Sequence, residues 1–146
     1  MYEQVEKFRK PGTLITSNTS GIPIHLMADG RSEDFKKHFA GTHFFNPPRY
    51  LKLFEVIPTP HTDPEVTKFL LHYGDLYLGK TSVLCKDTPA FIGNRVGVWG
   101  LLKVIDSMQK FDLNVDEIDK LTGPVIGRPK SATFRTSDVV GLDTLV

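Results

Sequence analysis

The sequence predicts an α/β lobe reaching to about residue 88, followed by an all-α lobe. Helical and strand patterns alternate through the first two thirds of the chain, and strand signals stop after the run Val83-Leu84-Cys85. Asp87-Thr88-Pro89 then reads as a junction between the lobes.

The elements follow in order. Val5 and Phe8 share one face of a helix tail that Pro11-Gly12 closes. Thr13-Leu14-Ile15-Thr16 is a short β-branched strand, ending in the polar cluster Ser17-Asn18-Thr19-Ser20-Gly21, which suits a loop at a strand end. A helical stretch runs through Phe39, and His43–Phe45 and Tyr50–Ile57 read as strands. Thr62-Asp63-Pro64 opens a helix with Val66, Phe69, Leu70 and Tyr73 at helical spacing, stopped by Gly74 or Gly79. Ser82–Cys85 is a buried strand. Asp87-Thr88-Pro89 supplies a cap and an early proline for the longest helix, which runs to about Gln109. Phe91, Ile92, Val96, Trp99, Leu102, Ile105 and Met108 occupy more than one stripe of it, which predicts burial on several sides. Gly93, Gly97 and Gly100 predict a small-residue face against another helix. Asn114-Val115-Asp116-Glu117 is a capping box, and Thr136-Ser137-Asp138 opens a last helix.

Composition narrows the function classes. The chain has 146 residues, 40% of them hydrophobic and 24% charged, with a formal net charge of +1, as in a soluble globular protein. No Lys/Arg run exceeds a dipeptide such as Lys36-Lys37, so the electrostatic basis for nucleic-acid or membrane-surface binding is missing. The single cysteine, Cys85, cannot form an internal disulfide and reads as a small buried hydrophobe. Residues 1–10 contain no hydrophobic core segment of a secretory signal, and a cytoplasmic location is the expectation.

Gly74-Asp75-Leu76-Tyr77-Leu78-Gly79-Lys80-Thr81 satisfies the P-loop pattern letter for letter. A phosphate-cradling loop leaves a strand and enters a helix, whereas here a helix precedes and a strand follows. Leu76, Tyr77 and Leu78 read as packing residues. No three glycines match G-x-G-x-x-G.

His43 and Glu55 stand out. A histidine followed by Phe44-Phe45 and a carboxylate inside Leu53-Phe54-Glu55-Val56-Ile57 are both poorly placed for surface residues, and they are plausible partners. A buried, hydrogen-bonded histidine without catalytic duty is the competing reading. His25, His38, His61 and His72 have no such frame and read as solvated.

Four blocks in order, Ser17-Asn18-Thr19-Ser20, His43-Phe44-Phe45-Asn46-Pro47, Leu53–Ile57 and Asp87-Thr88-Pro89-Ala90-Phe91-Ile92-Gly93-Asn94-Arg95, resemble the 3-hydroxyacyl-CoA dehydrogenase family. The resemblance implies that residues 1–88 form the latter part of a Rossmann-like NAD-binding domain, incomplete without its Gly-rich half. Residues 89–146 would begin the helical C-terminal domain used for substrate binding and dimerisation. It implies NAD as cofactor and an acyl-CoA substrate. His43 would be the general base that takes the 3-hydroxyl proton, suited by an ordinary imidazole pKa of about 6.5. Glu55 would orient it, as the carboxylate of a serine-protease triad does. Ser20 and Asn94 would contact the reacting oxygen across the junction, where domain closure matters, and Asn46 with Ser20 would contact the cofactor.

Pro89-Ala90-Phe91 departs mildly from the family's Pro-Gly-Phe. The stretch Gly127–Thr136 resembles the long bacterial chains that fuse the dehydrogenase to an enoyl-CoA hydratase. A sheet lacking its first strands would expose an edge, so self-association or pairing with a complementary polypeptide is expected, together with poor NAD affinity of the chain alone. A catalytically silent domain that serves assembly or acyl-CoA binding is the alternative function.

Overall fold

The computed structural model describes residues 1–141. Four strands, β1 (Ile15–Ser17), β2 (Phe39–Phe44), β3 (Leu53–Pro58) and β4 (Thr81–Leu84), lie side by side in that order. β1 and β2 are parallel, β2 and β3 antiparallel, and β3 and β4 parallel. The mixed sheet has a simple cause. Residues 45–52 are too few for the crossover that a parallel β2–β3 pair requires.

Strand and helix limits differ from the sequence reading where pairing overrides local pattern. The sequence predicts helix through Phe39, yet Phe39-Ala40-Gly41 pairs with β1 while Ala40–Phe44 pairs with β3, so the strand starts at Phe39. The sequence also begins the next strand at Tyr50, whereas Tyr50 and Leu51 close a turn by donating their N–H groups to the Pro47 carbonyl. The sheet's two faces carry separate cores, as the period of two demands. Ile24, Phe35, Phe39, Ile57, Cys85 and Phe91 pack on one side, and Ala40, Phe54, Val56 and Leu70 on the other.

Helices α1 (Tyr2–Phe8), α2 (Ile24–Ala28) and α3 (Glu33–Lys37) precede β2, and α4 (Pro64–Leu76) separates β3 from β4. α1 turns Tyr2 inward, edge-on to Phe39 at 5.2 Å, and leaves Phe8 exposed. α4 starts as predicted, with the Asp63 carboxylate accepting from the Glu65 N–H at 2.8 Å. Gly74 does not stop it. It lies inside the helix at the closest approach to the sheet, where a Cβ would fall 2.5 Å from the Phe54 ring.

The outward face of α4 corrects another expectation. Phe69, Tyr73 and Tyr77 stack successively at 5.6 and 5.4 Å in solvent, and Tyr77 is 68% exposed. Leu70 and Gly74 occupy the buried stripe instead.

The longest helix, α5 (Gly93–Lys110), begins later than Asp87-Thr88-Pro89 suggests. Ala90 and Phe91 have φ of 62° and 46°, in the left-handed region that a helix cannot contain. Asp87 does cap a helix, but it is α2: its carboxylate accepts from the Ile24 and His25 N–H groups at 2.7 and 2.8 Å. The same carboxylate lies 2.6 Å from His25 Nδ1, so His25 is paired, and His38 Nδ1 likewise meets the Asp34 carbonyl at 2.8 Å.

The chain divides into two compact units, Met1–Asn94 and a second beginning at Arg95. The second holds most of α5 with α6 (Val115–Thr122), a 3-10 turn (Pro124–Ile126) and α7 (Phe134–Val140). The capping box at Asn114 forms as predicted, with both reciprocal bonds present. Thr136-Ser137-Asp138 lies inside α7, because the Asp119 carboxylate accepts from the Thr133, Phe134 and Arg135 N–H groups and starts the helix earlier. Among the described residues α5 buries none of its side chains, Trp99 is 62% exposed, and Gly97 and Gly100 meet nothing within 4 Å. Among the described residues neither the several-sided burial nor the small-residue face at Gly97 and Gly100 forms. No helix among the described residues is long and apolar enough to cross a membrane.

Candidate active site

The β2–β3 register places His43 directly opposite Glu55, on the same face of the sheet. Both are buried, His43 at 4% and Glu55 at 0% exposure. His43 Nδ1 lies 2.6 Å from Glu55 Oε2. The second carboxylate oxygen, Oε1, accepts from the Ile92 and Gly93 N–H groups at 3.0 and 2.7 Å. Glu55 is thereby satisfied on both oxygens, which is what a buried carboxylate needs.

Those bonds also fix the imidazole. An acceptor-only carboxylate at Nδ1 requires Nδ1 to be the donor, so the neutral ring presents Nε2 as its basic nitrogen. The Phe45 and Phe91 rings flank the imidazole with centroids at 4.5 and 5.7 Å, and hold its plane. Phe91 reads from sequence as packing alone. Its position beside His43 follows from the left-handed turn at Ala90-Phe91, which no pattern in the sequence announces.

Ser20 and Asn94 also meet. Asn94 Nδ2 donates to the Ser20 carbonyl at 3.1 Å, and both residues belong to the Met1–Asn94 unit. Asn18, one residue past β1, accepts from the Phe44 N–H at 3.0 Å and ties the Ser17–Ser20 loop to the end of β2. It is a positioning residue that the sequence reading passes over, although it stands within the polar cluster singled out there. Asn46 is exposed two residues past β2, and among the described residues its side chain makes no hydrogen bond to the other four candidates.

Cys85 lies beside this network, its thiol 3.6 Å from the Val83 carbonyl and close enough to Glu55 to feel its charge. Burial first, and then the negative charge of Glu55, push its thiol up to about 12. The folded chain therefore keeps the thiol protonated at about pH 8, where a free cysteine already forms appreciable thiolate. Ellman's reagent is expected to leave Cys85 unmodified in the native protein and to titrate it fully in urea. Because the shift is upward, this thiol contributes nothing to the pH dependence of native stability below its ordinary value of 9.0 and lowers stability between there and about 12, as only the unfolded chain releases the proton.

The P-loop match has no phosphate-binding geometry. Its first glycine is inside α4, and its Gly79-Lys80-Thr81 leads into β4.

Comparison with known proteins identifies the setting. The model of the family described as 3-hydroxyacyl-CoA dehydrogenase, NAD binding domain, matches residues 1–88. A "Probable 3-hydroxyacyl-CoA dehydrogenase" of Bacillus subtilis is 58% identical over 144 residues, covering 99% of this chain and 18% of that protein. A protein of the same description from Deinococcus radiodurans is 52% identical over 145 residues, covering 99% of this chain and 42% of its own length. The crystal structure of FadB2 from M. tuberculosis superposes with a TM-score of 0.84 at 32% identity, covering 97% of this chain and 49% of that one. This chain thus spans less than half the length of each of these relatives. Sequence, fold and family match agree: the chain belongs to the 3-hydroxyacyl-CoA dehydrogenase family, and its residues 1–88 correspond to that family's NAD binding domain.

Proposed function

We propose that this chain carries the proton-transfer residues of an NAD-dependent (S)-3-hydroxyacyl-CoA dehydrogenase of fatty-acid β-oxidation, interconverting 3-hydroxyacyl-CoA and 3-ketoacyl-CoA. The observation that carries the reading is the buried His43–Glu55 pair, with Nδ1 committed to the carboxylate and Nε2 left basic. Bound NAD supplies the acceptor for the hydride that leaves the substrate's 3-carbon. The chain's own residues manage the proton. His43 Nε2 takes it from the 3-hydroxyl during oxidation and returns it during reduction. Glu55 holds the ring and stabilises the imidazolium without itself becoming protonated. Ser20 and Asn94 steady the charge on the reacting oxygen: Asn94 spends one N–H on the Ser20 carbonyl and keeps the other for the substrate.

The donor set around these residues fits one end of the cofactor. Asn18, Ser20, Asn46 and Asn94 are neutral amides and a hydroxyl, suited to the carboxamide and ribose of NAD, and Asn46 and Ser20 are the residues assigned to hold them. The diphosphate has no counterpart, since no G-x-G-x-x-G loop occurs in the sequence. The N-terminal half of the NAD-binding domain, or a second copy of the chain, would pair along β1, which has β2 as its only strand partner among the described residues. The chain covers 18% of the B. subtilis protein and 42% of the D. radiodurans protein, so relatives of quite different length carry this segment. Calorimetry on the chain alone is expected to show only weak NADH binding; tight binding would overturn the assignment of the phosphate loop to another segment.

The activity test supplies that missing half in trans, using the region of the B. subtilis relative that precedes the match. It follows NADH consumption with a short 3-ketoacyl-CoA. If His43→Ala and the natural chain consume NADH at equal rates, the reading fails.

A further inference from the structure

We propose that Lys80 is a positioning residue for the dinucleotide, acting through the loop that carries Asn46; this rests on the cofactor role given to Asn46 above. The lysine belongs to a P-loop match that the fold places between α4 and β4, so no phosphate role accounts for it. Its ammonium donates instead to the carbonyls of Pro48 and Leu51, the latter at 2.8 Å. Lys52 reciprocates: its Nζ donates to the Gly79 carbonyl at 3.2 Å, and its own carbonyl accepts from the Thr81 N–H at 2.8 Å. Within the loop, the Tyr50 and Leu51 N–H groups both donate to the Pro47 carbonyl, at 3.0 and 3.2 Å.

Residues 47–52 are therefore tied both to one another and to residues 79–81. An ammonium suits the task because it has three donors and no acceptor, and two converging carbonyl oxygens repel one another unless a cation lies between them. Such bonds are charge-assisted and stronger than neutral ones. Only Phe45 separates Asn46 from the end of β2, which carries His43 and Phe44. Freedom in the loop thus becomes freedom of Asn46 relative to His43, and a ligand would have to quench it on binding.

The test compares Lys80→Met, which keeps the side-chain length, with Lys80→Arg, which keeps the donors. Amide hydrogen exchange over residues 46–52 is measured on the chain itself, without cofactor or turnover. NADH saturation is measured in the complemented assay, with His43→Ala alongside. Lys80→Met is expected to exchange about tenfold faster at Tyr50 and Leu51 and to raise KM for NADH about tenfold, with kcat within about twofold, as losing charge-assisted bonds from a binding loop predicts. Lys80→Arg should restore both values. Lys80→Gln, with a shorter donor, takes the place of Lys80→Met if that variant does not fold. Unchanged exchange, faster exchange with unchanged KM, or a fall confined to kcat would each overturn the proposal. An active His43→Ala would sink the underlying reading of the site. An inactive His43→Ala beside an unchanged KM in Lys80→Met would sink the Lys80 proposal alone.

Discussion

Replacing His43 by alanine is expected to lower the rate of 3-ketoacyl-CoA reduction by about 10²- to 10⁴-fold, the range for loss of a positioned general acid or base. The loss should fall on kcat and leave KM for NADH near its starting value, because the imidazole bonds to Glu55 and to aromatic rings and is not among the groups assigned to the cofactor. Steady-state rates in the complemented assay check this. The variant also leaves Glu55 Oε2 buried without its partner, so a drop in stability should accompany the loss of activity. Comparing His43→Ala with His43→Gln separates the two effects, since the amide can still donate to Glu55 but cannot act as a base at neutral pH.

Glu55 should show the larger effect on the fold. Glu55→Ala removes the acceptor for His43 Nδ1 and for the Ile92 and Gly93 N–H groups together; the first of these bonds is buried and the other two are partly buried. Leaving a buried donor such as His43 Nδ1 unsatisfied costs about 1–3 kcal/mol, a sizeable share of the roughly 5–15 kcal/mol that holds a typical domain together. A urea unfolding midpoint shifted by less than about 1 kcal/mol equivalent would contradict that account. Glu55→Gln is the more informative variant for chemistry. If its carbonyl oxygen stays with the Ile92 and Gly93 amides, its NH2 group faces Nδ1, which must then become an acceptor. The ring's proton moves to Nε2, the nitrogen needed as base, and a rate loss of about 10⁴-fold is expected, the size reported for the corresponding change in a serine-protease triad. Stability should fall far less than in Glu55→Ala.

The pairing of His43 with Glu55 was legible in the sequence because two polar residues in apolar strands need partners, and each was the other's best candidate. The α4 start and the capping box at Asn114 were legible too, since a cap is written in a few adjacent residues. What stayed hidden was written across distance. Asp87 carries a strong local cap signature, yet its carboxylate serves α2, which lies 62 to 63 residues earlier in the chain. Asp119 similarly starts α7 from a remote position. The second contact of Glu55, with the first amides of α5, depends on a left-handed turn at Ala90-Phe91 that no propensity favours. The aromatic spacing on α4 indicated a helix correctly but not which face turns inward. Gly74, with no side chain, marks the buried side, and the three rings that look most like core are in solvent.

The antiparallel register between β2 and β3 has a consequence for how this site can vary. Surface loops ordinarily absorb insertions and deletions more easily than strands absorb substitutions. Here the loop of residues 45–52 sets which residue of β3 faces His43, and a slip of one position would turn Glu55 to the opposite side of the sheet. The spacing of the site is thus stored as a length rather than as an identity. Among natural variants, the count of residues between Phe44 and Leu53 should drift less than the residues themselves.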